Sequence, residues 1–234
     1  MSNSNLDRLE KVAKALGHYK DKVVFVGGAV CSLYFHDPGA PGFRATLDVD
    51  LTIDITTRTE WYAFEEIISR MGFKHDIGEE APICRKILEG VKVDIMPTEE
   101  SVINLKSTWF KAGFHRAITK VLPGGTTIQI LSLPYFIASK FEAFFERKLN
   151  EKKKPDYWAS RDLEDIINVL AYIKDGSELL SGSGILKKSL LQYSETVLGE
   201  SRIKEIIHGH LNSKEPLSVS EKVFNHLLLL SALS

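Results

Sequence analysis

The stretch "RATLDVDLTIDI", Arg44 to Ile55, alternates strictly from Leu47 onward. Leu47, Val49, Leu51, Ile53 and Ile55 fall on one face, and Asp48, Asp50, Thr52 and Asp54 on the other. A period of two predicts a strand with one apolar side. Asp48 and Asp50 leave its polar side together, about 7 Å apart along the backbone. Like charges so placed repel, and they are tolerated where water or a cation offsets them. Just upstream, "VVFVGGAVCSLYF" (Val23 to Phe35) closes a short β-rich run with Gly27-Gly28, after which a helix is expected to open. A double glycine after a strand lets the backbone approach an anion and aim N–H groups at it.

Working outward, "RKILEG" and "VKVDIM" predict a hairpin turning at Glu89-Gly90. Val91, Val93 and Ile95 take one face of its second strand, and Lys92 and Asp94 the other. Leu6, Leu9, Val12 and Leu16 repeat at helical spacing, with Gly17 as a stop. "TEWYAFEEIISRMG" reads as a helix closed by Gly72, and "TTIQILSL" as a further strand. "DPGAPG" (Asp37 to Gly42) has loop chemistry. After Pro134 the character changes. "YFIASKFEAFFERK", "RDLEDIINVLAYI", "LLQYSETVL", "RIKEIIHGHL" and "EKVFNHLLLLSAL" are all helical in pattern, separated by polar stretches such as "SGSG" and "NSKEP". The expected fold class is α+β: a mixed-sheet domain with flanking helices over residues 1–133, followed by a helical bundle over 134–234.

Composition sets the outer bounds. The 234 residues are 44% apolar and 26% charged, ordinary for a globular chain with a sizeable core. A net charge of −1 supplies no overall field to attract nucleic acid or anionic lipid, so a polyanion would have to meet a local basic patch. Cys31 and Cys84 form no ligand spacing and read as reduced thiols. The first residues, "MSNSNLDRLEKVAKAL", lack the apolar core of a signal peptide, and "HLLLLSALS" is too short to span a bilayer. A cytoplasmic protein with no membrane partner is expected.

The acidic strand face points to metal chemistry. Asp48 and Asp50 suit hard divalent cations whose other ligands are phosphate oxygens and water. Two such ions would stabilise the attacking and leaving oxygens of an in-line phosphoryl displacement. A third carboxylate on an adjacent strand would complete the set, and Asp94 has the right alternation.

In this order, Gly27-Gly28, Asp48-Val49-Asp50 and Lys92-Val93-Asp94 resemble the signature of the polymerase-β-type nucleotidyltransferase superfamily. "SLPYFIASKFEAFFER" followed by "SRDLEDIINVL" is similar to its branch of abortive-infection AbiEii toxins, which carry a helical lysine and then a basic-Asp-x-x-Asp element. Arg44 and Thr46 match that branch's R-x-T-x-D lead-in, although Asp48 stands 20 residues after Gly28, farther than in compact members. The resemblance spans Val23 to Leu170. It implies an enzyme that transfers an NMP from an NTP to an acceptor and releases pyrophosphate, with Mg²⁺ or Mn²⁺ as cofactor. Gly27 and Gly28 would hold the triphosphate, Asp48 and Asp50 the metals, and Asp94 would be third ligand or base. Lys140 would meet the nucleotide phosphates, and Asp162 would take the late acidic role. A tRNA end or other RNA, a protein and a small molecule stay open as acceptors; a toxin role would imply an antitoxin partner.

Each residue has a plainer reading. A glycine pair is commonly a turn, and Asp48 and Asp50 could be the solvent face of an edge strand. Asp162 and Asp165 are placed to cap a helix, the reading favoured for Asp165. Asp54 is read as extending the polar face, and Lys140 as able to snorkel beside Phe141 and Phe144. His36, His75 and His115 show no ligand spacing, and Ser32 lacks the partners of a hydrolase triad. Lys152, Lys153 and Lys154, beside Tyr157 and Trp158, read as a solvated loop or an RNA contact. The alternative to an enzyme is a nucleotide-binding module of the same fold without turnover.

Overall fold

The structure is a computed structural model that describes residues 4–36, 40, 44–105, 108–147, 155–211 and 215–233. The lysine run Lys152 to Lys154 and most of the "DPGAPG" loop lie outside the described residues. The chain divides into two compact units: Met1–Val30 with Arg44–Ser132, and Cys31–Phe43 with Leu133–Ser234.

The first unit is built on a mixed sheet. Its strands are β1 (Val23–Val26), β2 (Asp48–Ile53), β3 (Lys74–His75), β4 (Arg85–Leu88), β5 (Val91–Pro97), β6 (Ile118–Val121) and β7 (Thr127–Ile130). They lie in the order β3-β4-β5-β2-β1-β7-β6. β1 is antiparallel to β2 and parallel to β7, while β2 runs parallel to β5. Every residue of β1 is buried, as expected of an unbroken apolar strand at the centre of a sheet. The hairpin forms as the sequence predicts. Glu89 (φ +45°) and Gly90 (φ +82°) make a two-residue turn with both residues left-handed, and Leu88 pairs with Val91.

Among the described residues, four α-helices accompany the sheet: α1 (Ser4–Leu16), α2 (Arg58–Arg70), α3 (Glu100–Ile103) and α4 (Thr108–Phe114). Leu9, Val12, Ala13 and Leu16 bury one face of α1, which Gly17 ends at φ +55°. α2 starts on a capping box in which the Thr57 hydroxyl accepts from Glu60 N and the Glu60 carboxylate accepts from Thr57 N. Lys86 is almost fully buried on β4. Its ammonium meets Glu65 at 2.5 Å and His75 Nδ1 at 2.9 Å, which is how a buried charge is kept tolerable.

One local expectation is corrected, and a second is met in a tighter form. Leu47, placed on the apolar face by alternation, is 75% exposed. Strand pairing begins only at Asp48, and the lead-in is held by α1 instead: Arg8 donates to Thr46 O, and Asn5 pairs with Thr46 N and Arg44 O. After Gly27 the chain winds as a 3₁₀ helix, Gly28–Tyr34. That tighter winding stacks residues three apart, such as Cys31 and Tyr34, both of which are buried.

The second unit is helical: α5 (Leu133–Glu146), α6 (Arg161–Tyr172), α7 (Gly184–Leu198), α8 (Ile203–His210) and α9 (Leu217–Ser231). α5 packs on α6 and α7, and α9 on α6, α7 and α8. Phe136, Ile137 and Phe141 make α5 apolar on nearly all sides, which suits a helix enclosed by others. Tyr34 and Phe35 explain why their segment joins this unit: their rings lie 4.6 Å from Phe136 and 5.1 Å from Tyr172. No helix among the described residues is long and apolar enough to cross a membrane.

Candidate metal centre

Parallel pairing of β2 with β5 sets Asp50 beside Asp94 and Asp48 beside Lys92. With side chains alternating along each strand, Asp48, Asp50 and Asp94 emerge on one face. One carboxylate oxygen from each lies within 4.8 Å of the others. The side chain of Asp48 is 40% exposed and that of Asp94 13%, so the cluster is half-sheltered yet open to solvent. Asp54 stands outside it, accepting from the Thr98 hydroxyl at 2.8 Å.

Gly27 faces this cluster. Its residue Val26 pairs with Asp50 across β1 and β2, and Gly27 itself turns the chain at φ +73°. A Cβ at Gly27 would stand 1.8 Å from Asp50 Oδ2 and 2.7 Å from its Cγ. No side chain fits there, so the glycine and the acidic strand are one structural unit. Gly28 is buried and opens the 3₁₀ helix. Thr46, in the lead-in, donates its hydroxyl to Asp48 O at 3.1 Å and ties the start of β2 in place.

Arg85 is the residue that sequence reasoning missed. Its Nε and Nη2 donate to Asp94 Oδ1 and Oδ2, each at 2.7 Å, and Nη2 lies 4.0 Å from Asp48 Oδ2. The signal was in the hairpin: a two-residue turn at Glu89-Gly90 pairs Leu88 with Val91, and counting outward pairs Arg85 with Asp94. The hydrogen bonds to Asp94 raise the Arg85 pKa further above the ordinary arginine value. Next to it, burial together with the charges of Asp94 and Asp50 pushes the Cys84 thiol up to about 11. Burial and these neighbouring charges thus disfavour the Cys84 thiolate.

Lys140 and Asp162 meet each other in the helical unit. Lys140 Nζ lies 2.6 Å from Asp165 Oδ2 and 3.2 Å from Asp162 Oδ1, and Arg147 Nη1 is 3.2 Å from Asp162 Oδ2. Burial alone would lower the Lys140 pKa, but Asp165 and then Asp162 more than offset it and hold the ammonium charged. The capping expectation for Asp165 is overturned. Ser160 is the N-cap of α6, accepting from Leu163 N, whereas Asp165 lies beyond the first turn and is wholly buried against Lys140.

Three hard, oxygen-donating carboxylates converging on adjacent strands fit a Mg²⁺-class cation better than a thiol- or imidazole-seeking one. Neither a protein-family model nor a curated protein matches the sequence. In structure the chain is similar to an antigenic nucleotidyltransferase-like protein from Paracoccidioides brasiliensis. The two share 17% identity over 89% of this chain and 94% of that one, with a TM-score of 0.52. A candidate nucleotidyltransferase from H. pylori matches at 13% identity over 99% of this chain and 96% of that one, with a TM-score of 0.48. The first likeness shows a nucleotidyltransferase-like fold.

Proposed function

We propose that the chain is a metal-dependent nucleotidyltransferase, moving an NMP from an NTP to an acceptor with release of pyrophosphate. One observation carries this reading: Asp48, Asp50 and Asp94 gather within 4.8 Å beside a glycine that Asp50 leaves no room to replace. Asp48 and Asp50 would hold Mg²⁺ or Mn²⁺, with Asp94 as third ligand or as base toward the acceptor hydroxyl. A bound divalent ion would supply charge neutralisation for the phosphoryl oxygens as the transition state forms. Gly27 and Gly28 would give the triphosphate a side-chain-free stretch of backbone to approach.

Lys140 is assigned the charge opposite the departing pyrophosphate, and Asp162 the task of orienting it. The contact between the two supports the orienting half of that assignment. The phosphate half requires Lys140 to exchange a carboxylate partner for a phosphate oxygen. Through the AbiEii resemblance the proposal extends to a toxin held in check by an antitoxin protein. Growth arrest on expression, absent with Asp48→Asn, tests that extension.

The deciding experiment incubates the chain with each labelled NTP, Mg²⁺ or Mn²⁺, and total RNA or cell lysate. Label entering RNA, protein or a small molecule names the acceptor and shows turnover. No label and no pyrophosphate with any NTP overturns the enzyme. NTP binding by calorimetry would then favour a binding module of the same fold.

A further inference from the structure

Arg85 occupies the carboxylate that the metal reading needs. Its planar fork meets both oxygens of Asp94 at 2.7 Å, the bidentate geometry that arginine forms best with a carboxylate. The contact is not an incidental surface pair. Arg85 and Asp94 are cross-strand partners in a hairpin of fixed register, and their side chains are 19% and 13% exposed. Each Asp94 oxygen keeps a second lone pair. A dication using it would still sit beside a guanidinium in a half-sheltered place, where like charges are poorly screened.

Resting on the metal-site reading above, we infer that Arg85 is a positioning residue that competes with a divalent cation for Asp94. It holds the cluster's cation affinity below what three carboxylates would give. The same fork fits a phosphate as well as a carboxylate. The triphosphate of an incoming nucleotide is therefore the anion that would draw Arg85 away and free Asp94. Cation and nucleotide then favour each other's binding, and the coupling is reciprocal.

Mn²⁺ binding followed by electron paramagnetic resonance, without nucleotide, tests this on the full chain. Arg85→Gln is expected to bind Mn²⁺ at least about tenfold tighter than the native chain, the effect of one unscreened charge. Arg85→Lys, which keeps the charge, should stay near native affinity. Equal or weaker binding by a folded Arg85→Gln chain overturns the inference, since a purely structural Arg85 would misplace Asp94 when removed. The double variant Arg85→Gln with Asp94→Asn is a second check, because it removes both charges together and leaves neither of the two unpaired. Competition predicts near-native Mn²⁺ affinity for it, and a loss as large as that of Asp48→Asn overturns competition. If the native chain binds Mn²⁺, Asp48→Asn does not and Arg85→Gln is no tighter, only this inference falls. If neither the native chain nor Arg85→Gln binds Mn²⁺, the metal reading falls with it.

Discussion

Asp50 shapes its surroundings as much as any ligand it would hold. Its carboxylate fills the space where a Cβ at residue 27 would sit, with Oδ2, Cγ and Cβ all within 2.9 Å of that point. Gly27→Ala therefore adds a clash to the strain of a left-handed alanine, itself about 1–2 kcal/mol. In an Asp50→Gly background the clashing atoms are gone, and the cost of Gly27→Ala should shrink to that backbone strain alone. Denaturant unfolding of the four chains of the cycle measures the difference. Asp48→Asn and Asp50→Asn are expected to lower NMP transfer at least ~10²-fold, the scale of removing one preorganised electrostatic contact. Their melting temperatures should hold or rise, because repulsion between neighbouring carboxylates is relieved. Near-native turnover in both variants would reject their role as ligands.

The hairpin of β4 and β5 decides which residues meet at the cluster. Glu89 and Gly90 both sit at positive φ, the turn whose twist matches that of the flanking strands. The side-chain period is two, so a slip of one residue would send Asp94 to the opposite face. Gly90→Val places a β-branched residue at φ +82° and should cost more than the ~1–2 kcal/mol of an ordinary left-handed residue. A drop in melting temperature accompanied by weakened Mn²⁺ binding is the expected pair of readouts. A drop in stability with cation binding intact would show that register is held elsewhere along β5.

At the scale of the whole molecule, the buried charges of Lys86, Lys140, Asp162 and Asp165 are paired, and stability should depend on pH through one histidine of the helical unit. Asp165 is wholly buried against Lys140, so Lys140→Met takes a charge partner from a buried carboxylate and should cost about 3–5 kcal/mol. Denaturant unfolding of Lys140→Met beside the native chain measures the loss, and an unchanged midpoint would exclude this pair as a determinant of stability. Burial lowers the pKa of His226 below its ordinary 6.5, and its hydrogen bond with Leu170 O only partly offsets this. A lowered histidine pKa means that the unfolded chain binds more protons below 6.5. This contribution is harmless above that value and turns against folding as pH falls through it. The melting temperature should fall between pH 7 and pH 5, and fall less steeply in His226→Gln; parallel curves would exclude His226 as the source.

What the sequence determined by itself was local and periodic. Alternation in Asp48–Ile53 and Val91–Pro97, the Glu89-Gly90 turn and the helical spacing of α1, α2 and α5 to α9 are all written in neighbouring residues, because burial of one face repeats with the period of the element. The three carboxylates were legible for the same reason, as polar residues in phase on strands. Only the tertiary structure decided who meets whom. It set β2 parallel to β5 so that Asp50 stands beside Asp94, and closed Gly27 onto Asp50. It exposed Leu47, whose alternation promised burial, because pairing starts one residue later. It gave Asp165 to Lys140 when local position suggested a helix cap. The edge strands β3 and β6 escaped the reading, β3 because two residues show no period, and both stand in the sheet through pairing with strands that were read, β4 and β7. Contacts between distant segments depend on register and on close packing against the rest of the chain, and neither is encoded in any one stretch.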